Sequence, residues 1–296
     1  MMLQEGKIYV HEHITIDLSE QKNSEDCCLD AFEHTVEELK ALRRAGVGNI
    51  VDVTNRGMGR NIGYVKRVAE QTGINILCST GYYQEDFLPA EVLHMTVEEL
   101  AGQMIREIRQ GIKGTGVKAA VIGEIATSRG GWTAREKRVF EAAVIASLET
   151  GAPITTHTSR GTFGYEQAAF FRERGVAPER VIIGHSELSG DVDQVLRILD
   201  LGVTVGFDTI GKISYLPDER RAQMLKVIEE HGYTGQVCLS MDITRKSHLK
   251  ANGGPGYAYL LETFLPLARR CGVSEAFIEK MMVENPRRWL GRGEAV

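Results

Sequence analysis

Eight short apolar runs recur along the chain, each rich in Val and Ile. They are "KIYVHEH" (7–13), "NIVDVT" (49–54), "INILCST" (74–80), "KAAVIGEI" (118–125), "PITTHT" (153–158), "RVIIGHS" (180–186), "VTVGFDT" (203–209) and "QVCLSMD" (236–242). Such runs predict strands buried on both faces. Between them the apolar positions switch to a helical period. "TVEELAGQMIREIRQG" opens on Thr96 with Glu99 three residues on, and "TAREKRVFEAAVIASLETG" repeats the relation with Thr133 and Glu136. Both patterns predict a capping box, in which each side chain satisfies a backbone N–H of the other residue. Gly46 and Gly151 close two of the segments, where a helix needs a residue free to adopt the left-handed conformation. "DVDQVLRILDLG" and "DERRAQMLKVIEEHG" follow the same grammar, the latter as an ordinary amphipathic helix.

Spread over 296 residues, eight strand–helix units average about 37 residues each. That accommodates a strand and a crossover helix, so a (β/α)8 TIM barrel is the economical fold. A doubly wound open sheet is the competing architecture, but no Gly-rich phosphate turn follows the first run. With no linker or low-complexity tract, residues 1–296 read as a single barrel domain. The Gly-rich "KANGGPGYAYL" (250–260) reads as a loop of the active face leading to the last helix.

Composition removes several classes of function. A net charge of −5 and the lack of a basic run give no case for nucleic acid or a membrane surface. No apolar stretch approaches a membrane span, and the N-terminus lacks a signal-peptide pattern. The five cysteines are odd in number and lack zinc-finger spacing; Cys78 and Cys238 read as buried thiols. These features predict a cytoplasmic protein.

In a barrel of this kind chemistry sits at the C-terminal ends of the strands. Reading those ends gives His11 and His13, Glu124, His157, His185 and Asp242. Their separations are whole multiples of a unit: 33 residues from Glu124 to His157, 28 to His185, 57 more to Asp242, and 111 from His13 to Glu124. Any one of these residues alone reads best as a polar strand end. Six together on one rim are costly to desolvate unless something positive pairs with them. Divalent cations would do so. Zinc suits imidazole and carboxylate ligands, with Mn, Co, Ni or Fe also compatible.

The segments "VHEH", "TNRGMGRN", "TGYYQ", "TTHTS", "GH", "FDTIGK" and "MDITRKSHLKANGG" resemble the phosphotriesterase family of the amidohydrolase superfamily, from residue 7 to residue 290. The resemblance implies a binuclear metal-dependent hydrolase. His11, His13 and Asp242 would hold the more buried metal, His157 and His185 the other. Many members bridge the two with a carbamylated lysine on the fourth strand, where this chain has Glu124. Lys118, six residues earlier, would lie about 20 Å away at the other end of the barrel. A glutamate bridge carries the same single negative charge and needs no carbon dioxide. Asp242 would take a proton from a metal-bridging hydroxide and deliver it to the leaving group.

The expected substrate is a small anionic ester, lactone or phosphoester, a phosphorylated sugar lactone among them. Tyr82, Lys212, Arg245 and His248 lie just past strands 3, 7 and 8 and are the expected substrate-binding residues. Lys212 and Arg245 would grip the anion away from the metals. A homodimer is the expected assembly. A metal-binding barrel with little turnover, and a mononuclear deaminase, are the competing readings; the metal count separates them.

Overall fold

The structure is a computed structural model that describes residues 2–291. All eight apolar runs form parallel strands: β1 (Lys7–Glu12), β2 (Val47–Asp52), β3 (Asn75–Thr80), β4 (Val121–Thr127), β5 (Ile154–Thr158), β6 (Val181–Ile183), β7 (Thr204–Phe207) and β8 (Val237–Leu239). Each lies beside its sequence neighbour, from β1 to β8 in order. The helices between them include α1 (Phe32–Arg44), α2 (Ile62–Thr72), α3 (Val97–Arg109), α4 (Ala134–Thr150), α5 (Gly164–Glu173), α6 (Val192–Leu199) and α7 (Asp218–Glu230). This is the (β/α)8 barrel. Both capping boxes form as expected, at Thr96/Glu99 and Thr133/Glu136. The apolar patterning did not reveal a two-residue antiparallel pairing, Ile16–Asp17 with Cys28–Leu29, inside the loop after β1.

Ile8, Val10, Val51, Val53, Leu77, Val121, Ile182 and Cys238 form one apolar cluster with Trp289 and Leu290. The Trp289 indole donates to the carbonyls of Ile154 and Arg180, beside the starts of β5 and β6. The tryptophan therefore plugs the N-terminal end of the barrel, and the polar rim lies at the other end. Tyr9 and Ile122 belong instead to the larger cluster shared with the helices.

Strict alternation would turn His11 outward with Tyr9, and Glu124 outward with Ile122. Neither strand alternates strictly. The β1–β2 register shifts between Tyr9 and Glu12, and the β4–β5 register shifts between Ile122 and Ile125. An irregularity of this kind re-aims a side chain, and here it points both residues into the barrel mouth.

β1 and β8 are joined largely by side chains. The backbone N–H of His11 donates to Ser240 Oγ at 3.1 Å, and that of Asp242 to the His11 carbonyl at 3.3 Å. Glu12, fully buried, accepts from the Ser240 hydroxyl (2.8 Å) and the N–H groups of Met241 (2.6 Å) and Ile243 (3.1 Å). Burial lifts its carboxyl to about 7 even with these three donors in place. Glu12→Ala leaves three buried donors unsatisfied, each costing roughly 1–3 kcal/mol. Scanning calorimetry should show the Tm lowered by about 5 °C or more, whereas Glu33→Ala, on the exposed first turn of α1, should leave it within error.

Candidate metal centre

The last residues of three runs lie beyond the strands that carry them. β6 stops at Ile183, β7 at Phe207 and β8 at Leu239, so His185, Asp208 and Asp242 stand in the turns that follow. His185 and Asp242 hold left-handed backbones, with φ of 56° and 51°. This region is costly for residues other than glycine and clusters at functional sites. The glycine before His185 permits a close strand crossing: a Cβ at Gly184 would lie 2.1 Å from the Thr156 carbonyl oxygen.

Glu124 sits at the middle of the group. One carboxylate oxygen lies 3.4 Å from His11 Nε2, 3.2 Å from His157 Nδ1 and 3.7 Å from His185 Nε2; the other lies 3.3 Å from His13 Nε2. Asp242 Oδ1 is 3.3 Å from His13 Nε2 and 4.0 Å from His11 Nε2. Its other oxygen is held by the Lys212 ammonium. All six rim residues named from the sequence therefore meet in one place. Five are buried and His157 is half-buried.

The sequence reading missed Asp208, although it ends the seventh run as the others end theirs. It is fully buried. Its Oδ1 accepts from the His185 backbone N–H at 2.9 Å and lies 2.6 Å from His185 Nδ1. Its Oδ2 is 3.3 Å from His11 Nδ1. A carboxylate so placed fixes the ring orientation of His185 and turns its Nε2 towards Glu124, while it faces His11 Nδ1 as a nearby charge without a hydrogen bond between them.

Charges in this largely buried group perturb one another strongly. Burial works against ionisation of Glu124, yet His11, His13 and His157 hold its carboxyl well below the ordinary range. Burial likewise opposes ionisation of Asp242, and Lys212 and His13 hold it far down. For the imidazoles burial favours the neutral form. The neighbouring carboxylates overcome it at His11, at His13, which rises to about 9, and at His185, which rises well above its usual value. His157 moves down, through burial and the charge on His185. The cluster attracts positive charge.

These residues fit a metal. Among the described residues His11 Nδ1 and Nε2 and His13 Nε2 are buried without a hydrogen-bond partner, as ligand atoms awaiting a cation would be. Ligand atoms of His11, His13 and Glu124 lie within 4.8 Å of one another, as do those of Glu124, His157 and His185, and those of His11, His185 and Asp208. Buried histidine and carboxylate groups at the barrel mouth could thus hold metal ions.

Above the centre opens a cavity of about 310 Å³ lined by Ile16, Leu18, Tyr83, Leu188 and Tyr215 among others, with four cationic side chains: Lys22, Arg160, Lys212 and Arg245. Here the substrate-binding expectations change. Tyr82 does not line this cavity; it is buried, 5.9 Å beneath the Arg56 guanidinium. The adjacent Tyr83 points in, its hydroxyl 3.2 Å from His157 Nδ1. Nothing in "GYYQ" tells one tyrosine from the other. His248 lies outside too: its Nδ1 accepts from the Thr244 N–H, and it lines a neighbouring cavity. Lys212 does not stand away from the acidic centre, because Asp242 holds it. Arg245 is on the cavity wall, 3.5 Å from Asp26.

The phosphotriesterase family model matches residues 2–290. The chain belongs to the phosphotriesterase family. It is 49% identical over 285 residues to the phosphotriesterase homology protein of Escherichia coli (strain K12), covering 96% of this chain and 98% of that one. The crystal structure of that protein, complexed with phosphate in its active site, superposes with a TM-score of 0.95 over 97% of this chain and 99% of that one. An aryldialkylphosphatase of Saccharolobus solfataricus is 33% identical over 96% of this chain and 95% of its own length. A lactonase of Listeria monocytogenes is 25% identical, with a TM-score of 0.92 over 99% of each chain. The aryldialkylphosphatase and the lactonase are hydrolases by name. Among the described residues no helix is long and apolar enough to cross a membrane.

The imidazole shifts set a pH dependence for the metal-free protein. His13 titrates near 9 when folded and near 6.5 when not. Its contribution to stability is therefore complete below about pH 6.5 and lost as pH rises through about 9. His11 and His185 shift in the same direction. Thermal melts of chelator-treated protein should fall in Tm between pH 6.5 and 9. Zinc-loaded protein, whose ligands are already deprotonated, should not show that fall. A flat or rising profile for the chelated protein would contradict the electrostatic account.

Proposed function

We propose that the chain is a binuclear metal-dependent hydrolase acting on a small anionic ester or lactone, with phosphorylated sugar lactones a favoured class. The observation that carries the reading is Glu124, set between four imidazoles beneath a cavity lined by four cations. His11, His13 and Asp242 would hold one cation and His157 and His185 the other, with Glu124 shared. Zinc is the cation that best suits this donor set. Bound there, the cations supply Lewis-acid polarisation of the scissile oxygen and acidify water.

The chain's own residues supply the rest. Asp242 is kept ionised by Lys212, and its Oδ1 faces the centre while Oδ2 is occupied. Oδ1 can take the proton of the attacking water and return it to the leaving group. Asp208 holds His185 in place. The apolar wall of Ile16, Leu18 and Leu188 limits water around the reacting bond. Arg245 offers a planar guanidinium suited to an oxyanion. The lactonase and aryldialkylphosphatase relatives support carboxylic and phosphoric esters as the bond class.

Elemental analysis of protein purified without chelator should approach two divalent metals per chain. A value near one after reconstitution would favour a mononuclear site. Glu124→Gln removes the shared negative charge and should lower metal retention at both positions, and added bicarbonate should not alter loading of the native protein. In a screen of lactones and phosphoesters, Asp242→Asn should reduce kcat by roughly a hundredfold or more, in line with loss of a positioned proton acceptor. Equal kcat in wild type and Asp242→Asn would remove Asp242 from the chemistry.

A further inference from the structure

The four cations around the cavity are not equivalent. Lys212 is held by Asp242, and Arg245 lies 3.5 Å from Asp26. Lys22 is exposed on a short helical turn, its ammonium 5.1 Å from the centre of the Phe87 ring. Arg160 is exposed as Lys22 is, but it carries a planar guanidinium instead of an ammonium. Among the described residues its guanidinium has no carboxylate or hydrogen-bond partner, and it lies 4.3 Å from the centroid of the Tyr215 ring. An arginine stacked in this way is fixed in plane while its N–H edge stays free to donate.

The backbone beneath Arg160 is also held. Its φ and ψ are 59° and 36°, the left-handed region, in the turn that follows β5 and His157. A Cβ at the next residue, Gly161, would lie 2.2 Å from the Ser189 nitrogen, so the turn is pressed against the turn after β6. On the other side Ser159 Oγ donates to the Thr127 carbonyl at 2.8 Å and accepts from Gln84 at 2.7 Å. Tyr215 comes from the loop after β7 that also carries Lys212. The stack therefore joins two loops at the cavity wall, and among the described residues neither Arg160 nor Lys22 has a carboxylate partner, whereas Lys212 and Arg245 do.

We propose that Arg160, backed by Tyr215, is the specificity-determining residue for the end of the substrate remote from the acidic centre. The group it takes is an oxyanion, a phosphate monoester or a carboxylate. The proposal rests on the hydrolase reading above and assigns the remote recognition to the loop after β5 rather than to Lys212. A guanidinium held in plane by an aromatic face can present two parallel donors to such a group without the entropy loss of a free side chain.

The test uses metal-loaded protein and three matched sugar lactones: one with a terminal phosphate, one with a terminal carboxylate, and the neutral parent. Arg160→Met should raise KM for the preferred anionic lactone by roughly tenfold to a hundredfold, with kcat within about twofold. The neutral lactone should be unchanged, and Arg160→Lys should recover part of the loss. The two anionic arms show which oxyanion is read. Calorimetric titration with ribose 5-phosphate and with ribose gives a readout without turnover: the wild type should prefer the phosphate, and Arg160→Met should lose that preference. If Arg160→Met keeps full discrimination, or loses anionic and neutral substrates equally, Arg160 is not the subsite. If no lactone is hydrolysed but the calorimetric preference depends on Arg160, the hydrolase reading fails while the subsite stands. If the wild type prefers neither phosphate nor carboxylate in either assay, the subsite is wrong as well.

Discussion

The architecture is built around one electrostatic constraint: Glu124, Asp208 and Asp242 share a largely buried barrel mouth with four imidazoles. Carboxylates there cannot remain ionised without positive charge beside them. In the protein alone, protons on His11, His13 and His185 and the ammonium of Lys212 meet that need. Divalent cations meet it better, since each brings twice the charge and uses lone pairs that are otherwise stranded. The orphaned Nε2 atoms of His11 and His13 are where this shows most directly. The desolvation cost that makes the cluster unfavourable in isolation is what makes it selective for a cation.

Gathering the cluster required departures from regular strand geometry. Register shifts in β1 and β4 turn His11 and Glu124 inward. Left-handed backbones at His185 and Asp242 bring two more side chains off the ends of β6 and β8. Glu12 holds the seam at this same level, accepting from the N–H groups on either side of Asp242. Closure of the barrel and placement of Asp242 are thus one set of hydrogen bonds. Behind the loop after β7, fully buried Arg221 reaches Thr209 and Asp218, while Glu187 accepts from the Thr209 N–H. That knot holds the segment that delivers Lys212 and Tyr215 to the cavity.

Much of this was legible in the amino-acid order, because strands buried on both faces leave unbroken Val- and Ile-rich runs and the rim residues end them. The capping boxes were legible for a similar reason: both partners are local. What depends on non-local packing was not. Alternation alone places His11 and Glu124 on the wrong face, and only the register shifts correct it. Tyr83 rather than Tyr82 faces the cavity through the path of one loop. Lys212 was expected to stand away from the metals, but its partner Asp242 is 30 residues away along the chain. Asp208 ended a run in plain view, and its role emerged only once His11 and His185 were seen to flank it.

The central claim is that Glu124 is shared between two cations. Anomalous diffraction from zinc-loaded crystals tests it most directly. Two peaks should appear at the barrel mouth, one about 2.0–2.1 Å from nitrogen atoms of His11 and His13 and the other at that distance from His157 and His185, each also about 2.0–2.2 Å from a Glu124 oxygen. A single peak, or a pair that leaves Glu124 out of both coordination spheres, would contradict the account.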